Sequence, residues 1–117
     1  MKLTEHQEAE LKEFSETVDF WITGLSLTDW DIQVQMGKIE PNANVVLQQD
    51  GHKAYITLGV KREKGLSVKQ LAIHEVLEIL LADIADKIEE FYSKKHADDL
   101  VHKVINRLMP ILLEFKK

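Results

Sequence analysis

Residues 71–86, LAIHEVLEILLADIAD, leave this chain little freedom in how it folds. Eleven of the first fifteen residues are apolar, on more than one side of any helix, so the segment has to be buried. A helix start is marked just upstream. Ser67 and Gln70 have the spacing of a capping box, with Leu66 and Leu71 placed as its hydrophobic staple. From there the ridge Ile73, Leu77, Leu80 or Leu81, Ile84, Ile88 and Phe91 predicts one helix of about six turns. Into this apolar run are set His74, Glu75 and Glu78. Charged side chains are rarely fully buried unless they are paired or bind a metal. A His and a Glu four residues apart lie one above the other on one helix face. HEVLE therefore reads as a metal site, the remnant of one, or a polar seam in a core.

The flanking segments supply what such a helix needs to pack against. Thr4 and Gln7 form another capping box, and Leu11, Phe14, Val18, Trp21 or Ile22, and Leu25 follow at helical spacing. An amphipathic helix of about five turns, ending near Gly24, is expected there. Trp30, Ile32, Val34 and Met36 alternate with polar residues, which is a strand with one buried face. Gly37 to Asn44, containing Pro41, reads as a loop. Asp50-Gly51 separates two β-rich runs and predicts a two-residue hairpin turn. Taken literally, that turn pairs Leu47 with Ala54 and Val45 with Ile56, placing four apolar side chains on one face. Residues 60–65 (VKREKG) form a charged loop. The helical pattern lapses over 93–99 (SKKHADD) and resumes from Leu100 through Val104, Leu108 and Phe115. Pro110 predicts a kink or an end there. Strands grouped together and helices grouped together give an α+β class, with a small antiparallel sheet backed by helices.

Composition narrows the function. One chain of 117 residues makes one domain with its own core. A net charge of -5 and no Lys/Arg stripe leave nucleic-acid binding without an electrostatic footprint. With no cysteines there are no disulfides, thiolate metal sites or cysteine nucleophiles. A cytoplasmic setting is expected. The N-terminus is polar from Thr4 onward, so no signal-peptide core is expected. The longest apolar-rich segment is too short and too charged for a bilayer span.

The useful chemical comparison for HEVLE is the HExxH helix. Its two imidazoles hold one Zn²⁺, and the Glu beside the first His handles the proton of the attacking water. A third ligand comes from farther along, and an open position is left for water. At this point the chain resembles the minimal zincin-like metallopeptidase family of small bacterial and phage proteins. The residues that carry the likeness are LxDWxIxV on the first strand, the hairpin, ITLGV, HEVLEILL, and an acidic pair before a final helix. It spans Leu27 to about Leu113. The resemblance implies a single zincin-like domain over 1–117. In it, a three-stranded, mainly antiparallel sheet packs on an N-terminal helix, the HExxE helix and a C-terminal helix. It implies His74 as first metal ligand, Glu75 as general base, Glu78 in the place of the second His, and Asp98 or Asp99 near the third, acidic ligand. Asp98 is preferred by counting back from His102. It also implies a peptide or protein bound along a sheet edge by β-augmentation.

The departure from that pattern has chemical content. His74, Glu78 and Asp98 would give one neutral and two anionic donors, a weaker Lewis acid than a two-imidazole site and one that favours harder ions such as manganese or magnesium relative to such a site. His96 or His102 would supply a second nitrogen. The plainer readings stand beside these. Asp98 and Asp99 suit a helix N-terminus. His6, His52, His96 and His102 suit the surface, Trp21 and Trp30 the core, and Lys116 and Lys117 a solvated helix end. Two functions follow: a metal-dependent peptide hydrolase, or a catalytically inactive zincin scaffold that binds protein.

Overall fold

The computed structural model describes residues 2–39 and 42–114. The elements run α1 (Glu5–Gly24), β1 (Asp31–Gly37), β2 (Ala43–Gln48), a 3₁₀ turn (Gln49–Gly51), β3 (Lys53–Gly59), α2 (Val68–Leu80), α3 (Ala82–Phe91) and α4 (Lys94–Leu113). The α+β class is as read from the sequence. Both capping boxes form: Thr4 Oγ1 accepts from the Gln7 amide at 3.1 Å and Ser67 Oγ accepts from the Gln70 amide at 3.0 Å. These bonds satisfy backbone donors that a helix start otherwise leaves open.

The sheet order is β1-β3-β2. β2 pairs antiparallel with β3 in the expected register, Val45 with Ile56 and Leu47 with Ala54. β1, however, lies parallel to β3, matching Ile32 with Ala54 and Val34 with Ile56. The sheet is thus mixed, and the expectation of a mainly antiparallel sheet is corrected. A period of two says that a strand has an inner face; it does not say which neighbour the strand takes. The parallel pairing requires the β1–β2 connection to pass over the end of β3. Gly59 makes that crossing possible. Its N–H donates to the Asn42 carbonyl at 2.8 Å, and a Cβ at Gly59 would itself stand 2.8 Å from that oxygen. The rows Ile32–Ala54–Leu47, Val34–Ile56–Val45 and Met36–Leu58–Ala43 put one apolar face toward the helices.

The hairpin turn is longer than two residues. Gln48 pairs with Lys53, and the loop between them contains the 3₁₀ turn and His52 at φ 48°. The two extra residues, one on each side of Asp50-Gly51, leave the register untouched. At the end of α1 the left-handed residue is Ser26 (φ 58°), two positions beyond Gly24.

Phe14, Val18, Ile56, Leu58, Ile73, Leu77 and Ile105 make the fully buried centre, with Trp21 and Trp30 at its edge. α1 lies mainly on α2, and α2 on α4 and β2. The charged 60–65 loop is tied down by Arg62, which pairs with Glu10 of α1 and donates to the Gly59 carbonyl.

Three helix boundaries differ from expectation. The long helix from Val68 breaks at Leu81 (φ -92°, ψ 2°), and α3 then packs on α4. No Gly or Pro marks the break, and backbone bonds from Leu81 to Leu77 and from Ala85 to Leu81 span it. The outer ridge of α3 is left uncovered: Ile84 is 55% exposed and Phe91 78%. α4 begins at Lys94, because the Ser93 side chain accepts from the His96 amide at 3.0 Å. α4 also continues through Pro110 to Leu113 without ending. Pro110 is exposed and one turn from the helix end, so little backbone bonding is lost. Pro41, Phe115, Lys116 and Lys117 lie outside the described residues. Among the described residues, no helix is long and apolar enough to cross a membrane.

Candidate metal centre

Gln70, His74 and Glu78 follow one another at i, i+4 along α2 and so share one face. His102 and Asn106 do the same on α4. Because α4 packs against α2, the two faces meet. Glu78 lies between the two imidazoles. Its Oε2 is 3.6 Å from His74 Nε2 and its Oε1 is 3.5 Å from His102 Nε2. The rings are near-parallel, with centroids 5.6 Å apart. One donor atom from each of His74, Glu78 and His102 falls within 4.8 Å of the others, so the group can hold a metal ion. The spacing suits one. Two donors each about 2.1 Å from a tetrahedral ion stand about 3.4 Å apart.

The expected acidic ligands are elsewhere. Asp98 and Asp99 lie in the first turns of α4 with solvent-exposed side chains. They pair with Lys94 at 3.4 Å and Lys95 at 2.8 Å across one helical turn. The Lys95 hydrogen bond and charge hold the Asp99 carboxyl below its ordinary range. Neither aspartate joins the His74 group, and neither caps the helix, since Ser93 does. The reason lies at the helix start. With α4 beginning at Lys94, residues 98 and 99 fall within the helix, where i, i+4 lysines reach them first. His102, one turn further on, takes the third place. His96 instead contacts the Tyr92 ring at 5.0 Å. His52, expected only at the surface, pairs with Asp29 at 3.0 Å and stacks on Trp30.

The donor set is therefore two imidazoles and one carboxylate rather than one imidazole and two carboxylates. Burial lowers the pKa of His74; Glu78 opposes this and His102 adds to it. A neutral imidazole is the form that binds metal.

Glu75 is the other unusual group. It is 4% exposed, and its Oε2 has no hydrogen-bond partner among the described residues. Burial, then the charge of Glu78 and a hydrogen bond with it, push the Glu75 carboxyl up to about 9. Glu75 and His74 line a cavity of about 310 Å³ between α2, α4 and the start of β2. The wall beyond them includes Asn42, Gln70 and Asn106. Sequence reading did not select these amides. The only available signal was that Gln70 and Asn106 stand one turn from His74 and His102 on the same helix faces.

No family model, curated protein or solved structure matches this chain.

Proposed function

We propose that the chain is a single-metal hydrolase acting on peptides, with His74, Glu78 and His102 as ligands and Glu75 as the proton-transfer group. The observation that carries this reading is the convergence of two Nε2 atoms on one carboxylate at 3.5 and 3.6 Å, beside a buried carboxyl with an unpartnered oxygen. A buried carboxyl oxygen without a partner is costly unless something uses it. Three protein donors leave coordination positions open, as hydrolytic sites require and closed structural sites do not.

A divalent ion held there, zinc or another transition metal, would supply Lewis acidity toward a peptide carbonyl and an attacking water. The chain's own part is proton handling and orientation. Glu75, protonated in the empty site, would ionise more readily beside a bound cation and could then accept a proton. Glu75 then takes the proton of the attacking water and returns it to the leaving amine. α2 holds His74, Glu75 and Glu78 on one rigid element, which fixes their mutual geometry. β2 is an edge strand whose start, at Asn42 and Ala43, borders the same cavity, so an extended peptide has a strand to lie along. This arrangement keeps the likeness to zincin-like metallopeptidases as a working reading of the fold.

Elemental analysis of protein purified without chelator tests the proposal directly. About one transition-metal ion per chain is expected, and metal at 100 times its Kd should stabilise the fold by about 2.7 kcal/mol. Calorimetry that finds no binding of zinc, manganese or cobalt sinks it.

A second reading, a non-catalytic binding module on the same scaffold, draws on a different observation. Ile84, Phe91 and Tyr92 are 55%, 78% and 68% exposed and border a groove on α3. Exposed apolar patches of this kind mark interaction surfaces. In that case Glu75→Gln leaves function intact.

A further inference from the structure

The cavity beside His74 and Glu75 has a lining chemistry of its own. Beyond those two residues, no Lys, Arg, Asp or Glu lines it among the described residues. Its apolar part comes from Leu66, Leu71 and Met109, its polar part from Asn42, Gln70 and Asn106. Two of these amides are oriented by the fold. The Asn42 Oδ1 accepts from the Glu63 amide at 2.7 Å, and the Gln70 Oε1 accepts from the Ser67 amide at 3.4 Å. With the oxygens committed, each side chain turns its NH₂ away from its backbone partner. Among the described residues neither NH₂ donates to anything, and the Asn106 side chain makes no hydrogen bond. Each oxygen keeps a second lone pair, but both N–H donors of each amide are unused, so donation is the larger capacity left.

From this we infer that the cavity is a recognition site for an uncharged peptide segment, with Asn42, Gln70 and Asn106 donating to main-chain carbonyl oxygens and Leu66, Leu71 and Met109 enclosing an apolar side chain. The inference rests on the hydrolase reading for its biological sense, but its chemistry is independent of any metal. Neutral donors suit neutral acceptors. With no metal bound and Glu75 protonated, a charged side chain here would lose hydration without gaining a counter-ion among the described wall residues. A pocket of about 310 Å³ is at the small end for ligand sites, so it takes one side chain and its flanking amides rather than a folded surface. Asn106 adds specificity through position: it stands one turn beyond His102, linking the recognition wall to the ligand set on the same helix.

The test uses three blocked tripeptides, acetyl-Ala-X-Ala-amide with X as Leu, Glu or Lys. Their binding is measured by NMR titration against the intact chain, both zinc-loaded and metal-free. In the metal-free protein the Leu peptide should bind at least about tenfold more tightly than either charged peptide, since unpaired buried charge is the costlier outcome. Asn106→Leu should weaken the Leu peptide by about threefold to tenfold while leaving zinc affinity unchanged. Leu71→Trp, which fills the cavity, should abolish peptide binding, with circular dichroism confirming the fold. Equal or tighter binding of the Glu or Lys peptide to the metal-free protein overturns the inference, as does a Leu peptide indifferent to both substitutions. Selective peptide binding by a protein that takes up no zinc keeps this inference and removes the hydrolase reading. Zinc uptake without peptide selectivity does the reverse.

Discussion

The middle of α2 and the first turns of α4 look alike on paper, since each sets imidazole and carboxylate groups a turn or less apart. In space they differ completely. His74 and Glu78 are about two-thirds buried and meet His102 from another helix, whereas Asp98 and Asp99 are exposed and form ion pairs with lysines of their own helix. The lesson is that residue type and spacing nominate a metal site, but a partner from a second element makes one. Surface i, i+4 pairs contribute little individually, while a partly buried group with three convergent donors has few ways to be satisfied.

The sharpest way to break this contrast is through Glu75. Glu75→Gln should lower peptide hydrolysis by about 10²- to 10⁴-fold, the usual worth of a positioned acid–base group, and leave metal affinity nearly intact. Asp99→Asn should leave the rate unchanged. Turnover assays on metal-loaded protein decide it, and an active Glu75→Gln variant would end the catalytic assignment. Next in size is ligation. His102→Ala should weaken zinc binding by at least about 100-fold, more than the loss of an outer-shell partner typically costs, and Asp98→Ala by less than about twofold. Competition with a chromogenic chelator reads both, and equal losses would erase the distinction between the two regions.

Stability against pH sharpens the same comparison in the metal-free protein. Glu75 ionises at about 9 when folded, against 4.5 ordinarily. The folded state therefore holds a proton that the unfolded state releases between these values, and stability falls as pH rises through that window. Below 4.5 the contribution is complete, and above about 9 it is gone. His74, with its pKa lowered, acts oppositely, but only below its ordinary 6.5. Between pH 7 and 9 the Glu75 effect stands alone. Glu75→Gln should flatten the pH dependence there, removing a loss of about 2 kcal/mol between pH 7 and pH 9. Urea titrations at pH 7, 8 and 9 check it, and parallel slopes in wild type and variant would contradict the burial argument. The smallest effect belongs to the exposed pair. Asp99→Ala should move Tm by no more than about 1 °C, and less in high salt.

Much of the fold was legible along the chain. Both capping boxes, the hairpin register and the buried nature of residues 71–80 follow from local rules, because each depends on neighbours within a few residues or on a two-fold alternation. The α3–α4 region was read less well. Leu81 breaks the long helix with no Gly or Pro to announce it. Ser93 starts α4 six residues before the apolar pattern resumes at Leu100, and Pro110 is absorbed near the helix end. Periodicity locates faces, not terminations, when the residues at a break are themselves good helix formers.

For the candidate site, the sequence by itself determined that His74, Glu75 and Glu78 share an otherwise apolar helix, since their spacing and surroundings are local facts. The tertiary structure decided the rest: that His102 rather than Asp98 or Asp99 stands opposite Glu78, that Glu75 is buried beside a cavity, and that three amides border the same cavity. Those outcomes depend on how two helices separated by α3 are rotated against each other. A one-residue change in where α4 begins turns every side chain on it by about 100°, and spacing along the chain carries no record of that angle.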